Sequence, residues 1–263
     1  MRIDIMTLFP DTVGDMMNES ILGRAQERGI IRINAWQIRD YTANKQNQVD
    51  DYPYGGGHGA VMQADPLYRC WEAICDDVGA PVHTVYMSPC GETFTQKKAR
   101  QMLADYENII LVCGHYEGVD QRFLDECVDE EISVGDFVLT GGELPAMTVA
   151  DCICRMVPGV LSDPECFEQE SHWDGLLEHP QYSRPEIWHG RAVPEILRSG
   201  NHQLVDRWRK KQSILRTMYR RPDLFKKLRL PNKTKAEKKF IAELEAENAD
   251  FKTRYAENLG KRK

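Results

Sequence analysis

The residues best suited to chemistry lie between Cys113 and Pro145, in the stretch CGHYEGVDQRFLDECVDEEISVGDFVLTGGELP. Gly114, Gly118, Gly135, Gly141 and Gly142 crowd this segment too closely for the interior of a strand or helix. Glycine takes φ > 0 and lets backbone approach closely, so the stretch suits a ligand lined by main-chain groups. The first loop, Gly114-His115-Tyr116-Glu117-Gly118, follows Ile109-Ile110-Leu111-Val112, a short branched run that reads as a buried strand. The second, Thr140-Gly141-Gly142, follows Val134-Gly135-Asp136-Phe137-Val138-Leu139. Two glycine loops hard against apolar strands, Ile109–Val112 and Val134–Leu139, predict a pocket that holds a cofactor.

A further glycine cluster, Tyr54-Gly55-Gly56-Gly57-His58-Gly59-Ala60, can be forced onto a dinucleotide fingerprint. The polar residues before it, Asn44 to Gln48, cannot be the buried strand that fingerprint requires. A mobile lid or substrate loop is the expected reading, with a disordered connector as the alternative. No GxxxxGK[ST] motif occurs, which excludes a P-loop. The eight cysteines form no CxxC pair, and Cys152-Ile153-Cys154 lacks histidines at zinc spacing. Reduced, mostly buried thiols are expected.

The elements that must position these loops alternate. Strands are predicted over Arg2–Phe9, Ile30–Ile38, Val82–Met87 and Ile109–Val112, and helices over Thr12–Arg28, Pro66–Asp77 and Lys97–Tyr106. Such alternation predicts an α/β fold with a parallel sheet covered by helices. Ligands in open parallel sheets bind outside the C-terminal strand ends. The loops after Met87, Val112 and Leu139 then converge on one site.

A helix is predicted over Leu144–Met156. From Leu161 to Glu178 periodicity is lost and the chain turns acidic, which reads as a linker. Three helices follow, over 202–219, Pro222–Leu228 and Lys235 to about Ala256. The expected division is residues 1–160, a linker over 161–178, and an all-helical domain over 179–263.

The 263 residues carry a formal net charge of −7, yet the charge is uneven. Ten basic residues lie between Ser199 and Leu230 against two acidic ones, Asp206 and Asp223, an excess of eight. Such a segment points to an anionic partner. No apolar run approaches the roughly 18 residues of a membrane span, and Met1 to Ile5 enters a strand pattern without a signal-peptide core. A cytoplasmic protein that does not engage membranes is expected.

Tyr54-Gly55-Gly56-Gly57, Tyr86-Met87-Ser88-Pro89, Cys113 to Gly118, Ser133-Val134-Gly135-Asp136, Gly141-Gly142-Glu143-Leu144-Pro145-Ala146-Met147, Pro158-Gly159-Val160-Leu161 and Trp208-Arg209 to Gln212-Ser213 occur in this order. Taken together they resemble the bacterial tRNA (guanine-N1)-methyltransferases of the SPOUT superfamily, to about residue 225. The resemblance implies a parallel-sheet SPOUT domain with a deep trefoil knot, followed by a small all-helical C-terminal domain. It implies a homodimer whose active site is shared between subunits, with the tRNA anticodon stem-loop as partner. The reaction it implies is methyl transfer from S-adenosyl-L-methionine to N1 of the guanosine immediately 3′ of the anticodon.

By the same resemblance the donor site comprises Tyr86, Met87, Ser88, Pro89, Gly114, Tyr116, Glu117, Gly118, Val134, Gly135, Asp136, Phe137, Val138, Leu139, Gly141, Gly142 and Pro145. Substrate contacts are expected at Gly55, Gly56, Gly57, Gly59, Arg184, Arg209 and Lys211. His58 stands where the family commonly has a small or imino residue, and Glu170 where it usually has its catalytic aspartate. Magnesium dependence is implied, with no ligand cluster to assign to it.

Guanine N1 carries a proton and becomes nucleophilic only as that proton leaves and charge spreads to O6. The site needs a base and a cation. Glu170 is the expected base and Arg155 the expected cation at O6. His172 and His115 read as local contacts, and Trp208 as a core residue. A SPOUT enzyme acting on a ribose hydroxyl and a non-catalytic RNA-binding protein are the alternatives.

Overall fold

Strands buried on both faces need near-continuous apolar runs, and segments of that kind form the core of the first part of the chain. The computed structural model describes residues 1–163 and 165–260. The chain divides into two units, Met1–Pro164 and Glu165–Lys263. The first carries, in chain order, β1 (Arg2–Thr7), α1 (Pro10–Met17), α2 (Ser20–Glu27), β2 (Arg32–Gln37), the short β3 (Asp50–Asp51) and β4 (Val61–Met62), α3 (Ala64–Val78), β5 (His83–Thr93), α4 (Gln96–Asp105), β6 (Asn108–Cys113), α5 (Gln121–Cys127), β7 (Glu130–Ser133) and α6 (Glu143–Cys154).

Five strands form one parallel sheet in the order β2-β1-β6-β5-β7, while β3 and β4 pair antiparallel. In β6, Ile109 to Cys113 are fully buried. On one face Met6, Ile110 and Val112 pack with Leu67, Cys70 and Ile74 of α3 and Phe123 of α5. Helix α6 buries Ala146, Val149, Ala150 and Ile153 and touches β1, β6, α1 and α4. The buried carboxylate in β1, Asp4, accepts hydrogen bonds from Arg2 at 2.7 Å, Asn34 at 2.7 Å and Trp36 at 2.8 Å. Its burial is thereby compensated.

The helix expected over Thr12–Arg28 is two helices. Ser20 has φ +55° and starts α2 in a new direction. The second helix then lies so close to the first that a Cβ on Gly23 would sit 1.8 Å from the Asn18 carbonyl oxygen. The strand-like run Val134–Leu139 is a loop: Phe137, Val138 and Leu139 are exposed, with no core behind them. The edge strand is instead β7, whose polar sequence hid it. Its Glu130 is held by His83 at 2.8 Å and by Lys98, residues far away in sequence. Helix α5, also unforeseen, starts at Asp120, which accepts from the Arg122 N–H at 3.0 Å.

The second unit contains α7 (Glu165–Glu168), β8 (Ile187–Trp188), β9 (Arg191–Ala192), α8 (His202–Arg220), α9 (Pro222–Phe225), α10 (Lys235–Glu247) and α11 (Ala249–Gly260). It is therefore not all-helical, because β8 and β9 form an antiparallel pair. Its core joins Leu176, Ile214, Met218, Phe225, Leu244, Phe251 and Tyr255. The later part of the expected linker belongs to this core: Leu176 is buried, and the Leu177 N–H donates to Thr217 Oγ1 at 2.8 Å. The helix expected from Lys235 to Ala256 breaks at Asn248. That residue is extended (φ −145°, ψ 108°), donates to the Tyr219 hydroxyl at 2.8 Å and accepts from the Asp250 N–H at 3.0 Å.

None of the eight cysteines is in a disulfide. Burial pushes the Cys152 thiol up to about 11 and the Cys154 thiol to about 12, which keeps both protonated at neutral pH. No helix among the described residues is long and apolar enough to cross a membrane.

Gly23→Ala places a methyl group against backbone that cannot yield without separating α1 from α2. It is expected to destabilise the first unit by about 1–3 kcal/mol, read as a lower midpoint in thermal unfolding.

Candidate functional site

Three segments at the C-terminal edge of the sheet build one cavity. The first comes from β5, whose register with β7 shifts between Met87 and Glu92, so that Ser88 to Gly91 leave the ladder. The second is the turn after β6, closed by the Gly118 N–H donating to the His115 carbonyl at 3.1 Å. Tyr116 takes φ +60° within it, a conformation unusual for a non-glycine residue. The third is the loop between β7 and α6, where the Gly142 N–H donates to the Gly114 carbonyl at 3.0 Å.

The cavity wall brings together every residue expected at the donor site except Asp136, which is exposed and outside the wall. His115, Ile132, Ser133 and Thr140 also line it. His115 had a signal in the sequence, since it sits between two residues assigned to the site. Ile132 and Ser133 belong to the unforeseen strand β7.

Two kinds of surface meet in this cavity. Phe137, Val138 and Leu139 offer exposed apolar groups, while the turn at 114–118 and the Gly141-Gly142 segment offer main chain. Gly142 is packed so closely that a Cβ there would lie 2.6 Å from the Cys113 Cα and 2.9 Å from the Gly114 nitrogen. Tyr86 stands behind the turn, and burial raises the pKa of its phenol, keeping it a neutral donor. A flat heteroaromatic group with a hydrogen-bonding edge matches apolar walls rimmed with main-chain groups.

The glycine cluster lies in the β3–β4 hairpin, with Gly55, Gly56, Gly57 and Gly59 all at positive φ. Its base is fixed to the turn after β6. Glu117 N–H donates to the Ala60 carbonyl at 3.0 Å, Met62 N–H to Gly118 at 2.9 Å and Asp120 N–H to Met62 at 3.0 Å. The expected substrate loop is thus tied to the cavity wall.

The expected catalytic pair falls in separate units. Arg155 is the half-buried C-cap of α6 in the first unit, its N–H donating to the Asp151 carbonyl at 3.0 Å. Glu170, half-buried, lines a cleft of the second unit together with Glu168, Asp174, Glu178, His179 and Arg209. His172 adopts φ +75°, its N–H donating to the Leu176 carbonyl at 2.7 Å. Among the described residues, no group of three or more His, Cys, Asp or Glu side chains is placed to hold a metal ion.

The basic segment is less positive than its sequence. Arg207 forks onto Glu243 with contacts of 2.9 and 3.0 Å, Lys211 pairs with Glu247, and Lys210 lies 2.7 Å from Asp174. Arg221 lies 2.7 Å from Asp223. Arg209 reaches Asp206 at 3.3 Å, and Arg184 is exposed. The two glutamates come from α10, beyond the window in which the charge excess was counted. Trp208 is half-buried, with the rings of His179 and Tyr182 each 6.4 Å away.

Residues 1–227 match the family model described as tRNA (Guanine-1)-methyltransferase TrmD. The chain is 51% identical over 233 residues to the tRNA (guanine-N(1)-)-methyltransferase of Ruminiclostridium cellulolyticum, covering 89% of this chain and 99% of the relative. The proteins of the same name from Alkaliphilus metalliredigens and Desulforamulus reducens are 50% and 48% identical, each over 246 residues. Those matches cover 93% of this chain and 98% and 95% of the relatives, respectively.

Gly142→Ala cannot be accommodated by a side-chain rotation, because the obstacle is the backbone of Cys113 and Gly114. It is expected to push α6 off β6 and lower the unfolding midpoint by several degrees, roughly the effect of 1–3 kcal/mol of overpacking.

Proposed function

We infer the roles of individual residues from one premise: the chain belongs to the tRNA (guanine-1)-methyltransferase family. It is a methyltransferase that acts on N1 of guanine in tRNA, with S-adenosyl-L-methionine as methyl donor. The acceptor is the guanosine immediately 3′ of the anticodon. The observation that carries the reading is the cavity formed by Tyr86 to Pro89, the turn at 114–118 and the loop before α6. Its apolar walls suit the donor's adenine ring, and its main-chain groups suit the ring's edge. When bound, the donor supplies a methyl group already activated by the positive charge on sulfur.

The protein's part is to prepare the acceptor. Glu170 accepts the proton from guanine N1, so that the nitrogen lone pair becomes available to attack. Glutamate keeps the carboxylate of the family's usual aspartate, and its extra methylene lengthens the reach. Arg155 donates to O6, where negative charge gathers as the proton leaves. The guanine must leave its stack for N1 to be reached, which makes an unpaired anticodon-loop base an economical target. Gly55 to Gly59 then close over the acceptor, and Arg184, Arg209 and Lys211 contact the RNA.

The reading includes a homodimer in which both subunits contribute to each site. Phe9, Met16, Ile21 and Leu144 remain exposed around α1, α2 and α6, and such apolar surface supports a subunit interface. The trefoil knot belongs to the same reading, as membership of the family implies. Magnesium dependence belongs to the same reading with no protein ligands assigned to it, and a cytoplasmic location accords with a tRNA substrate.

The test uses unmodified tRNA transcripts and donor labelled in its methyl group. A transcript with guanosine 3′ of the anticodon is expected to take up label and to stop reverse transcription at that base, while its adenosine counterpart takes up none. Equal labelling of both would sink the assignment of target. Glu170→Gln is expected to lower kcat by about 10²–10⁴-fold with donor binding unchanged; near-normal turnover would remove Glu170 from the mechanism. RNA affinity should fall with added salt in proportion to the phosphates contacted, measured by filter binding.

A further inference from the structure

Glu143 opens α6 and is only 8% exposed. Its carboxylate gathers three segments of chain. Thr7 Oγ1, at the end of β1, donates to Oε1 at 2.6 Å. His115 Nε2, in the turn after β6, lies 2.9 Å from Oε1 and 2.7 Å from Oε2. Thr7 Oγ1 also accepts the Phe9 N–H at 2.9 Å, and the Phe9 ring meets the His115 ring edge-on at 5.2 Å. An acidic side chain in the first turn of a helix is stabilised by the helix dipole. A buried carboxylate is retained only where such partners satisfy it.

This cluster lies directly behind the cavity wall. His115, Gly141 and Gly142 all line the cavity. Gly141 leaves no room between them: a Cβ there would lie 2.3 Å from His115 Cε1 and 2.7 Å from Glu143 Oε2. Any side chain at 141 would displace the imidazole or the carboxylate, so the pair fills the space beside the segment at 141–142.

We propose that Glu143 and His115 are positioning residues of the methyl-donor site, with the carboxylate clamping the histidine so that the two main-chain walls keep the spacing the donor needs. The proposal rests on the reading of this cavity as the donor site. Neither residue takes part in the proton transfer, which belongs to the acceptor side. Losing the clamp is thus a loss of donor affinity more than of turnover.

The experiment is calorimetric titration of the full-length protein with S-adenosyl-L-methionine alone, followed by steady-state kinetics on tRNA. Glu143→Gln and His115→Ala are each expected to weaken donor binding and raise the donor KM by about tenfold or more, as expected when a buried polar partner is lost. At saturating donor, kcat should stay within about threefold, and Glu143→Asp should recover part of the affinity. Asp4→Asn serves as control, because it alters a fully buried carboxylate outside the cavity wall. It should lower the unfolding midpoint and leave donor affinity as it was. If His115→Ala and Glu143→Gln bind donor as the unaltered protein does, the clamp is refuted and the donor site stands. If both weaken binding only as much as Asp4→Asn does, the effect is general loosening and the clamp is again refuted. A flat titration with the unaltered protein would overturn the donor site and the clamp together.

Discussion

The geometry of the first unit depends on a contact between backbones. The start of α6 rests on the end of β6 with no space for a side chain between them, and the Gly142 N–H is spent on the Gly114 carbonyl. Once α6 is fixed there by its apolar face, residues 134–142 have to bridge from the edge strand β7 back to the sheet's interior. A connection so constrained cannot bury its own Phe137, Val138 and Leu139 and instead presents them to the cavity. The bulge in β5 and the turn after β6 supply the remaining walls. Packing of a helix on a strand and construction of the cavity are here the same event.

Much of this was legible in the sequence because glycine placement and apolar runs are local signals. Ile109 to Val112 and the glycines that follow could be read as a strand and its exit loop, and the structure agrees on both. The failures share a different cause. Val134 to Leu139 is apolar for the sake of a cavity, and hydropathy alone cannot separate that from burial in a core. Strand β7 begins with two glutamates; it pairs with β5, and His83 and Lys98 hold its Glu130 there. The breaks at Ser20 and Asn248 interrupt helices whose apolar spacing continues across them, so periodicity passed over both. Which residues meet at Glu143 was invisible for the same reason, since Thr7, His115 and Glu143 converge only in three dimensions.

Charge behaves similarly. The segment from Ser199 to Leu230 looks strongly cationic when counted by itself. In the folded second unit Glu243 and Glu247 lie against Arg207 and Lys211. Hydrogen bonding to the Arg207 guanidinium holds the Glu243 carboxyl below its usual range, so the pair stays charged at neutral pH. These cations of α8 are therefore already in company, in pairs that are partly buried.

Glycine serves two opposite purposes in the first unit. At Gly142 it is required because nothing larger than hydrogen fits, and the backbone is locked by its neighbours. At Gly55 and Gly56 a Cβ would meet nothing within 4 Å, yet both residues hold positive φ. The first kind of glycine removes freedom from the native state, whereas the second leaves it there. An asparagine, which tolerates left-handed backbone, would be admitted at the tip of the hairpin and refused beside β6. Drift in this chain should accordingly be read by sterics at one glycine run and by handedness at the other.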